Sequence, residues 1–275
     1  MVTIDLSGTT ALVTGGTQGI GKAAAMNLSR AGARTILTCK WGSVNEEELK
    51  REFAAETDQV PEIVTADVSK DEDTDALMDA IGNSADRIDY FVSNVGFAPQ
   101  INSLDDYSKR SLFKTIEYSS WPLVEYTKRL HKTFGVYPSR IVAISSDGPD
   151  HYYRGYDYVS AAKALLEHFA RYLSVHLLRY GSRVNVLRFG MVKTPSFDAI
   201  FGNEFFEFAK EMGITDHLVL SPDECGKSIL GILSGLFDAA NGQVITVDFG
   251  LPFQDNLMMR FLDWKERATQ TDQGA

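Results

Sequence analysis

Tyr156 and Lys163 stand seven residues apart in the chain. In a helix that turns about 100° per residue, that spacing comes to about 700° and returns both side chains to one face, nearly two turns apart. A phenol near an ammonium group gains phenolate character and can donate a hydrogen bond to an oxygen that takes up negative charge. Tyr158 precedes the same lysine by five residues. That leaves its side chain about 140° round the helix, so it is expected to pack or to face solvent. Ser146 closes an apolar run upstream, and its hydroxyl either orients a carbonyl or a water, or caps the end of a strand. A second set of residues suits another task. The segment Gly15-Gly16-Thr17-Gln18-Gly19-Ile20-Gly21 joins an apolar run to a helix-like stretch. Glycines there permit a tight turn and let backbone amides approach a pyrophosphate, whose charge a helix N-terminus favours.

The elements that must hold these residues follow from the pattern around them. β-type runs at 10–14, 35–38, 62–66, 90–93, 140–145, 183–189 and 243–247 alternate with helical stretches at about 19–30, 44–56, 71–82, 108–134, 157–180 and 222–236. That alternation predicts an α/β fold, a Rossmann-type doubly wound parallel sheet of about seven strands with helices on both faces. No linker divides the chain, so residues 1–250 are expected to form one domain. The phenylalanine-rich connection at 195–220, with Phe197, Phe201, Phe205, Phe206 and Phe208, breaks the alternation; it is either a helix showing its core face or, as the family resemblance described next implies, a substrate lid. Residues 251–275 form a C-terminal extension.

The spacing Thr14-Gly15-x-x-x-Gly19-x-Gly21 resembles the short-chain dehydrogenase/reductase family, and later segments meet the comparison in order over about residues 8–250. Asp67-Val68 looks like the pair that contacts adenine. Ser93-Asn94-Val95-Gly96 resembles the Asn-Asn-Ala-Gly turn after the fourth strand, and the run 183–190 followed by Val192 and Thr194 resembles the segment that holds the nicotinamide. Phe189 replaces the usual proline. The resemblance thus implies a cofactor site built from Gly15, Thr17, Gln18, Gly19, Ile20, Gly21, Lys40, Asp67, Val68, Asn94, Gly96, Lys163, Gly190, Val192 and Thr194, with Tyr156, Lys163 and Ser146 as catalytic residues. Lys163 would hold the nicotinamide ribose. An acid at the end of the second strand would pair with the ribose hydroxyls of NAD, but residues 35–41 hold none. Lys40 stands there instead and suits the 2′-phosphate of NADPH. As a solvated lysine, it would leave NADH acceptable too.

Most members of that family carry the tyrosine four residues before the lysine, where this chain has Val159. The Tyr-x6-Lys spacing is closest to the bacterial enoyl-acyl-carrier-protein reductases. Ser119, at the place of the family's active-site Asn, starts a Ser-Ser-Trp that looks like the Ser-Ser-Tyr of some of them. In conjugate reduction of an α,β-unsaturated thioester, charge collects on an oxygen two carbons from the one that takes the hydride, so the donor must stand farther off than in ketone reduction. The resemblance implies an NADPH-dependent reductase of an apolar enoyl thioester on a small or protein carrier. The alternatives are a ketoreductase or alcohol dehydrogenase, and a non-catalytic NADP-binding sensor or structural subunit. It also implies a homodimer or homotetramer.

Charge and composition limit the partners. The 27 basic against 37 acidic side chains leave a net charge of −10, the wrong sign for neutralising nucleic acid or docking on an anionic membrane. No apolar run approaches the roughly 20 residues that span a bilayer, and the first seven residues do not open a secretion signal, so a cytoplasmic place is expected. Cys39 and Cys225 lie far apart without CxxC spacing, and the five histidines show no ligand spacing. Neither a disulfide nor a metal site is expected.

Overall fold

The computed structural model describes residues 3–40, 44–97, 99–202, 204–214, 218–256 and 258–262. Seven strands, β1 (Thr10–Val13), β2 (Arg34–Cys39), β3 (Glu62–Thr65), β4 (Tyr90–Ser93), β5 (Arg140–Ser146), β6 (Arg183–Phe189) and β7 (Val244–Val247), form one parallel sheet in the order β3-β2-β1-β4-β5-β6-β7. Every pairing is parallel, with Leu12 opposite Ile36 on one side and Phe91 on the other. The chain runs outward from β1 to β3 and then returns to β4 beside β1. This reversal splays the connections apart and leaves a crevice at the carboxyl ends of the strands.

Alternate residues of each strand feed two cores, one per face. On one face, Ala11 and Val13 of β1 pack with Ala24, Ala25 and Leu28 of α1 (Gly19–Arg30), Leu49 and Phe53 of α2 (Glu46–Glu56), and Cys225, Ile229 and Leu233 of α9 (Pro222–Leu233). On the other, Leu12, Ile36 and Phe91 pack with α3 (Asp71–Ser84), α5 (Trp121–Phe134) and α6 (Asp157–Leu178). Gly226 lets α9 approach α1, since a Cβ there would lie 2.4 Å from the Ala23 carbonyl oxygen. Both cysteines are buried free thiols.

One expected helix is divided. The stretch read as continuous over 108–134 is α4 (Lys109–Ser119) followed by α5, broken at Ser120, whose φ of −124° and ψ of −47° leave the helix just before Trp121-Pro122. A proline in the first turn of a helix is tolerated, but it cannot continue one that precedes it. The connection after β6 is likewise not a single element. It contains α7 (Pro195–Phe201) and α8 (Phe205–Glu211), while residues 203 and 215–217 lie outside the described residues. Beyond β7 come a short turn, α10 (Leu251–Gln254), with Phe253 exposed, and helical residues at 258–262. Of the remaining extension, 257 and 263–275 lie outside the described residues. Among those described, no helix is long and apolar enough to cross a membrane, and no cluster could hold a metal ion.

Candidate active site

The turn after β1 is shaped by its glycines. Gly15 and Gly19 have φ of +62° and +54°, the left-handed region that only glycine enters cheaply. A Cβ on Gly21 would sit 2.2 Å from the Gly15 carbonyl oxygen, so the first turn of α1 lies directly on the loop. Asn94 locks it from the next strand. Its Nδ2 donates to the carbonyl oxygens of Thr14 and Gly15, both at 3.1 Å, and its backbone N–H donates to Thr14 Oγ1 at 3.0 Å. The loop is therefore a rigid cradle at a helix N-terminus, which fits the pyrophosphate of a dinucleotide.

From this loop a cleft of about 320 Å³ runs over the ends of β4, β5 and β6. It brings together Gly15, Gln18, Gly19, Ile20, Asn94, Gly96, Ser146, Tyr156, Lys163, Gly190, Val192 and Thr194, residues drawn from five separate stretches of sequence. Thr17 is buried in the loop and Gly21 lies beneath it. Lys40, Asp67 and Val68 are not in its wall.

At the centre of the cleft, Tyr156 donates its hydroxyl to Ser146 Oγ at 3.3 Å. Tyr156 occupies the N-cap position of α6 in the bridge region, with φ of −99° and ψ of 7°, and lines the same cleft as Lys163. Burial raises its pKa, only partly opposed by the bond to Ser146. Gly148 grants this position, because a Cβ there would come 2.7 Å from Tyr156 Cε1. Lys163 is buried and donates from Nζ to the Ile144 carbonyl oxygen at 2.7 Å. Burial pulls its ammonium down to about 8, against the favourable charge of Glu167. Glu167, one helical turn on, accepts from Ser145 Oγ at 2.7 Å and takes both nitrogens of an Arg188 fork at 2.6 Å. Arg188 reaches on to Asp150 in the loop before Tyr156. This chain of charges ties β5, β6 and the loop to the helix that carries Lys163.

The other sequence candidates take definite places. Tyr158 is buried and holds the start of α4, donating to the Ser108 carbonyl oxygen at 3.0 Å. Ser119 exchanges two hydrogen bonds with the backbone of Phe97, at 3.0 and 3.1 Å, and so fixes the loop after β4. Val159 does face the cleft. The phenylalanines form a layer, with Phe197 4.7 Å from Phe201 and 5.0 Å from both Phe205 and Phe206, ring centre to ring centre. Phe201 packs against Tyr156 at 5.8 Å and Tyr153 at 6.1 Å. Phe197 and Phe201 wall the cleft, whereas Phe208 is exposed. Sequence reasoning did not single out Phe97, Ile144 or Ile200, which also line the cleft, nor Gly148, Glu167 or Arg188. Only the packed fold places them here, because an apolar side chain near a strand end reads like any core residue.

This sheet order, glycine cradle and Tyr–Ser–Lys set define a short-chain dehydrogenase/reductase, an NAD(P)H-dependent oxidoreductase. The family model described as enoyl-(acyl carrier protein) reductase matches residues 15–252, and the chain belongs to that family. It is 27% identical over 247 residues to the 1-cyclohexenylcarbonyl-CoA reductase of Streptomyces collinus, covering 87% of this chain and 85% of that protein. It is 28% identical over 211 residues to the NADH enoyl-[acyl-carrier-protein] reductase of Neisseria meningitidis serogroup B, covering 74% and 79%. The crystal structure of the NADH enoyl-[acyl-carrier-protein] reductase of Aquifex aeolicus superposes with a TM-score of 0.72 at 24% identity, covering 89% of this chain and 97% of that one.

Proposed function

We propose that the chain reduces the activated carbon–carbon double bond of an apolar enoyl thioester, acyl or polyketide-like, with NADPH as the reductant. The observation that carries the proposal is the displaced phenol. Tyr156 stands seven residues before Lys163 at the N-cap of α6, while Val159, an apolar side chain in the same cleft, holds the nearer position. A donor set back along the helix reaches an oxygen remote from the carbon being reduced. Bound on the cradle of Gly15, Gly19 and Gly21, NADPH would supply the hydride. Tyr156 then donates its hydrogen bond to the thioester oxygen as charge builds there, and Ser146 orients that oxygen or the phenol. Lys163, cationic beneath the cleft, holds the nicotinamide ribose and stabilises negative charge on the phenol side. Phe197, Ile200 and Phe201 exclude water and receive an apolar acyl chain.

NADPH is favoured because the end of β2 offers Lys40 and no carboxylate in residues 35–40. A ketone-reducing reading draws on one observation. The Ser146 hydroxyl, which accepts from Tyr156 at 3.3 Å, still has its own hydrogen to donate to a carbonyl. The test is to follow the absorbance of the reduced nicotinamide with crotonyl and with β-ketoacyl thioesters. Turnover of the first supports the proposal, and turnover of the second alone rejects it.

A further inference from the structure

Asp67 and Lys40, assigned separately to adenine and to a 2′-phosphate by the family resemblance, are bonded to each other. Lys40 Nζ lies 2.8 Å from Asp67 Oδ2 and donates to the Tyr118 hydroxyl at 2.5 Å. Tyr118 in turn donates to the same Oδ2 at 2.9 Å. The other oxygen, Oδ1, accepts from the backbone N–H of Ser69 at 3.0 Å and from Ser69 Oγ at 2.8 Å. An ionised carboxylate has about four acceptor sites, and these four donors fill them. The Asp67 side chain is only 2% exposed, whereas that of Lys40 is 32% exposed. Burial alone would raise the Asp67 carboxyl, but the donors hold it down to about 2, so the pair stays charged across the physiological range. The Tyr118 ring also lies under the ammonium, 4.7 Å from Nζ to its centre.

We propose that Asp67 sets the dinucleotide selectivity of this chain by holding the Lys40 cation in an ion pair, so that a 2′-phosphate gains little from it. The proposal rests on the dinucleotide-dependent reductase reading above and narrows its NADPH preference to a small one. A phosphate drawing Lys40 toward itself must pull it from a buried carboxylate that then lacks its counter-charge, and that cost offsets much of the attraction. For the same reason, an adenine amino group must displace one of the four existing donors before Asp67 can accept from it. NADPH and NADH are therefore expected to bind with affinities that differ by less than roughly tenfold.

The test is calorimetric binding of NADPH and of NADH to the intact chain, with no turnover involved. Asp67→Asn removes the competing charge and is expected to shift the ratio of the two dissociation constants at least roughly fivefold toward NADPH. Lys40→Gln, used once circular dichroism and thermal melting show a folded chain, is expected to move the ratio by less than roughly threefold. An unchanged or reversed ratio in Asp67→Asn, or a more than tenfold loss of NADPH affinity in Lys40→Gln, overturns the proposal while leaving the reductase reading in place. A wild-type chain that binds neither dinucleotide overturns both.

Discussion

The hydroxyl of Tyr156 meets that of Ser146 at 3.3 Å, although the two residues belong to different elements, the N-cap of α6 and the last position of β5. The loop between them is held from both sides. Asp147 accepts from Tyr153 at 2.6 Å, and Asp150 is gripped by Arg188. Two hydroxyls from different elements thus meet at one point in the cleft. Removing the phenolic hydroxyl should remove the donor and nothing else. Tyr156→Phe is expected to lower kcat by about 10² to 10⁴ while leaving the dissociation constant for NADPH within about twofold of wild type. Single-turnover rates and a binding titration on the same preparation check it.

Gly148 should be as sensitive as a catalytic position although it does no chemistry. Gly148→Ala places a methyl 2.7 Å from Tyr156 Cε1, closer than any relaxed contact, and its carbonyl is already fixed by Ser160 Oγ at 2.9 Å. The ring, at the N-cap, must give way. We expect kcat to fall about 10-fold or more from a displacement near 1 Å, with thermal stability reduced by about 1–3 kcal/mol. Normal turnover in a folded Gly148→Ala chain would mean that the observed position of Tyr156 is not the working one.

Lys163 gives a pH signature with a definite sign. Its ammonium is depressed from 10.5 to about 8. Below both values, each state is protonated, and the cost of burying the charge is fully present. As pH rises from about 8 to 10.5, the folded state releases its proton first, so Lys163 makes the protein more stable by up to about 3 kcal/mol across that window. Urea unfolding of wild type and Lys163→Met at several pH values isolates this contribution, because the variant lacks it. Activity should run the opposite way and decline above about pH 8, as the cation beneath the cleft is lost. A flat stability difference between the two proteins from pH 7 to 10 would contradict the burial of this charge.

The glycine cradle predicts a third kind of failure. Gly21→Ala drives a methyl to 2.2 Å from the Gly15 carbonyl oxygen and 2.6 Å from Asn94 Nδ2, so α1 must lift from the loop. Loss of NADPH binding by about 100-fold is expected, with a stability loss of about 1–3 kcal/mol. Calorimetric titration and thermal melting measure the two effects separately.

Much of this arrangement was legible in the sequence because its signals are local. Strands that are buried on both faces read as apolar runs, and Gly15, Gly19 and Gly21 announce the loop by backbone need alone. The seven-residue spacing likewise brought Tyr156 and Lys163 into one cleft and sent Tyr158 elsewhere. What stayed hidden depends on long-range pairing. The bond from Lys40 to Asp67 spans 27 residues, and nothing in either local segment says that Tyr118 will close the triangle. The break at Ser120 was readable from Pro122, yet the amphipathic pattern on either side carried the helix across it. Glu167 and Arg188 looked like ordinary charged residues until β6 was laid beside α6.

The most direct test of the displaced phenol is where the hydride goes. With NADPH deuterated at the transferred position and crotonyl thioester as substrate, proton and deuterium NMR of the product should show the label on the β-carbon of a saturated butyryl thioester. Tyr156→Phe should slow its formation by about 10² to 10⁴. Crotonyl thioester left unreduced, while acetoacetyl thioester acquires deuterium at its carbinol carbon, would contradict the account.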